Sequence, residues 1–195
     1  MSSISALANV HVTGLFGDHE NKKENNILKI SEIKNLLIVQ IVQYKNSTIT
    51  HDSMDIDGLK LKDKPLGVVN NNNTRILWNG PKNWFLVSTQ KDLIKNISEV
   101  FKETDFAVTD LSHSRAIIEI EGHEAKEVLK KGCPFNFNIL EKNNSINSTY
   151  NGISFSVDVL DDNPDKVRLF TLRSFGESFY HSITDAALEF GYKSI

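Results

Sequence analysis

Three times along this chain, two strand-like runs are followed by a stretch with helical spacing. That repeat restricts the fold more than any other feature. TRILWNGPKNWFLVST, residues 74–89, is the sharpest unit. Ile76 and Trp78 alternate into Asn79-Gly80-Pro81, and Trp84, Leu86 and Ser88 alternate out of it. Glycine accepts a positive φ and proline fixes its own, so the tripeptide predicts a hairpin turn. KDLIKNISEVFKE (91–103) follows, with Leu93, Ile94, Ile97, Val100 and Phe101 at helical spacing. In the second unit FAVTDLS and RAIIEIEG are strands joined near Ser112–Ser114, and HEAKEVLKKG is a helix burying Ala125, Val128 and Leu129. Gly132 stands where a left-handed C-terminal cap is expected, with Pro134 to stop the helix. In the third, GISFSVDVL and VRLFTLR flank an Asn163-Pro164-Asp165 turn. Ser174 and Glu177 there form the pattern of a capping box. Phe175, Phe179, Ile183, Ala186, Ala187 and Phe190 make the apolar stripe of a last helix that Gly191 ends.

Ahead of these units, ILKISEIKNLLIVQIVQY (27–44) reads as two more strands. Residues 45–73 read as a long loop with one short strand, Asn70–Asn73 as a solvated turn, and 135–152 as polar loop. Hairpins followed by helices predict an α+β fold, an antiparallel sheet with helices on one face. No βαβ unit with a glycine-rich turn is present, which argues against a dinucleotide-binding domain. The expected organisation is an N-terminal arm over 1–26 and a single α+β domain over 27–195, with subdomains at about 27–105 and 106–195 as a finer division. In the arm, Leu15 and Phe16 suit a segment lying on another surface; a frayed terminus is the alternative.

The 195 residues suffice for a core without disulfides, and a single cysteine cannot form an internal one. That cysteine usage and the lack of a signal-peptide pattern lead to an expected cytoplasmic location. The longest apolar run, LLIVQIV (36–42), is too short for a membrane span. A net charge of −3 with interspersed signs argues against nucleic acid. Only Arg75, Arg115, Arg168 and Arg173 break a preference for lysine among 22 basic side chains. Such arginines mark places where a planar, forked donor is needed, unless they are chance retentions.

VTDLSHSRAIIEIEGHEAKEVLKKGCP (108–134) gathers Asp110, Ser112, His113, Arg115, His123 and Cys133, the side chains of nucleophilic chemistry. Extended backbone puts Asp110 and Ser112 on one face and His113 on the other, which is poor geometry for a nucleophile and its base. No G-x-S-x-G elbow is present. The cheaper reading has Asp110 and Ser112 bonding backbone N–H groups at a bend, and Arg115 forking onto Asp110 or a carbonyl. Cys133 lies at a helix C-terminus, which disfavours a thiolate. His123 has no ligand partner at helical spacing, and neither CxxC nor HxxxH occurs. The residues alone therefore predict no catalytic, cofactor-binding or metal site on this chain.

Several motifs, in order, resemble the gamma subunit of heterotetrameric sarcosine oxidase. These are SALAN and GLFG in the arm, ILKISEIKNLLIVQI as a first strand pair, and RILWNGPKNWFLV with Trp78, Gly80, Pro81 and Trp84. VTDLSHSRAIIEIEGHEAKEVLKKGCPFN and VRLFTLRSF complete the set. The resemblance implies the fold of the folate-binding domain of the glycine cleavage T-protein. It also implies a non-catalytic subunit that stabilises larger chains, in a complex that oxidises sarcosine to glycine with hydrogen peroxide. The one-carbon unit leaves as formaldehyde or on tetrahydrofolate. FAD, FMN, NAD and tetrahydrofolate then belong to partner subunits: alpha, beta and a small delta. Asp110, His113, Arg115 and Arg173 become structural or interface contacts, and Trp78 and Trp84 suit core or interface. Two alternatives stay open: a gamma-like subunit of a related enzyme such as N-methylglutamate dehydrogenase, and a free-standing folate-binding module.

Overall fold

The expected hairpin forms, with its two-residue turn one step later than the Asn79-Gly80-Pro81 pattern placed it, at Pro81-Lys82; Asn79 and Gly80 belong to the first strand, beside a bulge. In this computed structural model, which describes residues 4–20 and 22–195, strands β7 (Thr74–Gly80) and β8 (Asn83–Ser88) pair antiparallel. Gly80 takes a φ of +144° and Lys82 one of +54°. The pair sits in a five-stranded sheet ordered β6 (Val68–Asn70), β7, β8, β3 (Leu37–Gln43), β9 (Phe106–Asp110). Alternation places Val39, Ile41, Ile76, Trp84 and Leu86 in one apolar cluster. Helix α1 (Leu93–Val100) adds Leu93 and Ile97, while Val100 points outward. Phe101, just past the helix, meets Phe106 edge-on at 4.9 Å between ring centres.

The other unit is a seven-stranded sheet. Its order is β1 (Gly14–Phe16), β14 (Tyr192–Ser194), β2 (Leu28–Glu32), β10 (Arg115–Glu121), β13 (Asp165–Leu172), β12 (Ile153–Asp162), β11 (Ser145–Tyr150). One face carries Ile30, Ile118, Ile120, Val157, Val159, Val167 and Leu169, all fully or nearly fully buried. Against that sheet lie α2 (Ala125–Lys130) and α3 (Gly176–Ala187). They bury Ala125, Val128 and Leu129, and Phe179, Ile183 and Ala187. Helices on an antiparallel sheet confirm the expected α+β class; the β14–β2 pair is parallel.

The chain builds these units discontinuously. One comprises the described residues to 34, Ser114–Lys142 and Asn147–Ile195; the other Asn35–His113 and Asn143–Ile146. Two strand pairs expected from sequence are therefore not hairpins. β2 enters the seven-stranded sheet and β3 the five-stranded one, and β9 and β10 part in the same way. Apolar alternation specifies which face a strand buries, not which sheet receives it.

Other expectations also change. Residues 45–73 hold a β-ribbon, β4 (Asp55–Ile56) with β5 (Leu59–Lys60), besides β6, and bury Met54, Ile56 and Leu61. Asn71 is more than a solvated turn: its amide donates to the Asp57 carbonyl at 2.8 Å, and its oxygen accepts the Thr74 amide at 2.8 Å. Within 135–152, β11 buries Ile146 and Tyr150. The capping box does not form, because α3 begins at Gly176 after a 3-10 turn over Arg173–Phe175, and Glu177 accepts from Asn9 instead. Gly132 is not left-handed: glycine is required there because a Cβ would stand 2.6 Å from the Tyr150 ring.

Candidate functional site

The 108–134 stretch was the place to look for chemistry, and three of its side chains, Asp110, Ser112 and Arg115, engage backbone groups. Asp110 ends β9 with its carboxylate accepting the Ser112 amide at 2.9 Å and the Ser112 hydroxyl at 2.5 Å. Ser112 Oγ in turn accepts the Ile38 amide at 3.0 Å, and the Leu111 amide donates to the Ile38 carbonyl at 2.8 Å. This closes the end of the β3–β9 ladder, as short polar side chains do at bends. The Ser112 hydroxyl donates to the Asp110 carboxylate, a bond that ties the bend together rather than the serine–imidazole bond of nucleophilic activation.

His113 is exposed on the turn that follows. Arg115 begins β10, half-buried, and its guanidinium donates to the Ser114 carbonyl at 3.3 Å and hydroxyl at 3.2 Å. Burial pushes its pKa below the ordinary arginine value. Arg173 is tied by its backbone amide to the Ser114 carbonyl at 2.9 Å, and by its guanidinium to the Ile4 carbonyl at 2.6 Å. It thereby pins the N-terminal segment, a contact between residues 169 positions apart that no local pattern announces. His123 is exposed. Cys133 is buried beyond the end of α2, its thiol on Ser148 Oγ at 3.2 Å. Of the tryptophans, Trp84 is fully buried and donates to the Lys62 carbonyl at 2.9 Å; Trp78 is partly exposed and donates to Asp63 at 2.6 Å.

The main charged constellation was not singled out from sequence. On the face of the seven-stranded sheet opposite its apolar residues, Arg168 grips Glu119 Oε2 through Nε at 3.2 Å and Nη2 at 3.0 Å. Lys166 bridges Glu119 at 2.8 Å and Glu121 at 3.0 Å, and Lys29 completes the row on Glu121 at 3.0 Å. Hydrogen bonds from Lys166 and Lys29 hold the Glu121 carboxyl below its ordinary pKa. The signal was there as alternation, Glu119 and Glu121 on one strand against Lys166 and Arg168 on the next. Such cross-strand pairs stabilise a sheet. A second cluster joins Lys126 to Asp162 at 3.2 Å and Asp165 at 2.9 Å, across the β12–β13 turn. Beside α2, burial and the nearby Asp185 and Cys133 push the Tyr150 phenol up to about 12.

Among the described residues no group of three or more His, Cys, Asp or Glu is placed to hold a metal ion, and no helix is long and apolar enough to cross a membrane.

No family model matches the chain. A sarcosine oxidase subunit gamma from Corynebacterium sp. (strain U-96) is 27% identical over 118 residues, which is 60% of this chain and 58% of that protein. This chain is similar to a sarcosine oxidase gamma subunit. Among solved structures, a chain of the heterotetrameric sarcosine oxidase from Corynebacterium sp. U-96, in complex with pyrrole 2-carboxylate, superposes with a TM-score of 0.76. The match has 22% identity and covers 86% of this chain and 87% of that one. The glycine cleavage system aminomethyltransferase T from Bartonella henselae superposes with a TM-score of 0.59 at 11% identity, over 82% of this chain and 46% of that one. This chain thus shares the fold of about half of that aminomethyltransferase.

Proposed function

We propose that this chain is a non-catalytic, gamma-type subunit of a heterotetrameric sarcosine oxidase, and that it stabilises larger subunits. The observation that carries the proposal is the joint match in sequence and fold to that enzyme's gamma subunit and solved complex. The geometry supports it from the other side. Asp110 and Ser112 close a strand end, and Arg173 clamps the N-terminal segment, so these groups act as scaffold. His113 and Arg115 complete the set of structural or interface contacts in this reading.

In this reading the partners are alpha and beta subunits with a small delta subunit, working in the cytoplasm. FAD, FMN, NAD and tetrahydrofolate are held by those partners. The complex demethylates sarcosine to glycine, releasing hydrogen peroxide, with the one-carbon unit passed on as formaldehyde or methylene-tetrahydrofolate. Co-expression with the large subunits, followed by size-exclusion chromatography with light scattering, is the test. A single flavin-coloured peak containing this chain, with sarcosine-dependent peroxide release, is expected. A colourless, stable monomer eluting apart from the flavoproteins would sink the proposal.

The likeness to an aminomethyltransferase over 82% of the chain favours one second reading, a folate-binding module acting alone. It requires the isolated chain to bind tetrahydrofolate, and calorimetry showing no binding at saturating folate rejects it.

A further inference from the structure

Leu66 stands where glycine is the ordinary choice. Lys64 to Gly67 make a β-turn, closed by the Gly67 amide on the Lys64 carbonyl at 2.9 Å. Pro65 is its second residue and Leu66, with a φ of +64°, its third. That is the turn position that favours glycine, because a side chain there is strained. Asn143 is also left-handed, at +64°, and is tied to the same turn. The Val68 amide donates to the Asn143 carbonyl at 3.1 Å, and the Ser145 amide to the Leu66 carbonyl at 2.9 Å. Strain of this kind persists only where the surroundings hold it, and it collects at ligand sites.

Leu66 and Asn143 line a cavity of about 210 Å³. It has the volume of about seven waters, or of one small organic molecule. Leu66, Val69 and Ile76 give it an aliphatic wall, and Lys62 and Lys64 are its charged lining. No carboxylate lines it. Neither lysine has an ion-pair partner among the described residues. Asp63, between them in sequence, is outside the lining. Its two oxygens accept from the Trp78 indole at 2.6 Å and the Lys82 amide at 3.2 Å. Those bonds, with the Trp84 indole on the Lys62 carbonyl at 2.9 Å, fix the loop that carries both lysines. The cavity thus has positive charge without a counter-charge in its lining, on a loop already held in place.

We infer that this cavity binds a small aliphatic carboxylate. The two ammonium groups attract an anion, and the wall of Leu66, Val69 and Ile76 buries an alkyl body. Only a molecule with both parts uses both features. Inorganic phosphate would leave the wall in water, and a neutral alkyl compound would leave the lysines without a counter-charge. The inference goes beyond the subunit reading and does not depend on it.

The test is an NMR titration of the nitrogen-labelled full chain with isovalerate, beside its neutral amide isovaleramide and inorganic phosphate. Isovalerate at millimolar concentration is expected to shift the amides of residues 62–69 and 143–144, with the amide and phosphate about ten-fold weaker. Lys62→Gln and Lys64→Gln, both at exposed positions, should each weaken isovalerate about five-fold, the size of one exposed ion pair. Lys91→Gln, exposed elsewhere in the same unit, should change nothing. Leu66→Gly separates folding from binding. It relieves the φ strain, so its melting temperature should stay at or above the parent's, while the lost wall weakens isovalerate. No shifts at millimolar isovalerate, or shifts confined to other residues, overturn the inference. So does an equal response to isovaleramide or to phosphate, since charge or wall would then select nothing. Binding unchanged in both lysine variants, or in Leu66→Gly, overturns it as well.

Discussion

Gly132 shows how one missing methyl group orders a neighbourhood. A Cβ at this position would lie 2.6–2.8 Å from three carbons of the Tyr150 ring. The ring has nowhere to retreat. Its hydroxyl donates to the Val128 carbonyl at 3.0 Å, and Phe155 and Phe179 meet it edge-on. Gly132→Ala should therefore destabilise the chain by about 1–3 kcal/mol, as over-packed cores do. Tyr150→Leu removes the obstructing ring, so the double variant should cost less than the sum of the two singles. Urea denaturation of the four proteins measures this; strict additivity would rule out the clash. The residue scale also shows why the sequence misled here. Glycine after a helix and before proline is the pattern of a left-handed cap, yet the same glycine serves close packing against a side chain 18 positions on. The Asp110–Ser112 bonds were legible because they are local, whereas the Ile38 amide that Ser112 accepts lies 74 positions away and was not. Arg173 on Ile4 was not, since nothing near Arg173 in sequence names its acceptor.

Elements were legible where a turn or a period imposed them. β7 and β8 follow from the alternation on either side of Gly80-Pro81, although the turn itself falls at Pro81-Lys82, and α3 from Phe179, Ile183 and Ala187. β11 escaped notice because SINSTY sets buried Ile146 and Tyr150 among Ser, Asn and Thr, so its apolar period is too sparse to read. β14 is three residues long and owes its place to flanking strands. The charge row on β2, β10 and β13 was visible only as alternation, and its pairing needed the register. That row gives a pH dependence with a definite sign. Glu121 titrates below its ordinary value of 4.5 in the folded chain because Lys166 and Lys29 bond its charged form. Its contribution is complete above 4.5 and is lost as pH falls through the lowered folded-state value. Glu121→Gln should thus be less stable than the parent at neutral pH, with the gap narrowing as the medium is acidified below 4.5. Urea midpoints across that range are the measurement, and a gap that does not change with pH would remove the ion-pair explanation.

At the scale of the whole molecule, chain order and contact order diverge. Composition and element order divide the sequence near 105/106, but that border falls between Phe101 and Phe106, whose rings touch in one core. A fragment 27–105 would keep β3 without β9, leaving the β3 edge unpaired from Val39 to Gln43. It would also carry β2 with neither of its neighbours, β10 and β14. The complementary fragment 106–195 would open the seven-stranded sheet between β14 and β10, where β2 belongs, and expose apolar Ile118 and Ile120 at the gap. Unpaired edges and lost burial of this kind remove the cooperative core of each piece. Neither fragment should show a cooperative thermal transition by circular dichroism, and amide exchange should be fast throughout both. Mixing the two should restore protection in β2, β3, β9 and β10 if both strand sets re-form. A sharp transition in either fragment alone would mean that one side of residue 105 holds a self-sufficient core, and that the discontinuous units do not set the stability of this chain.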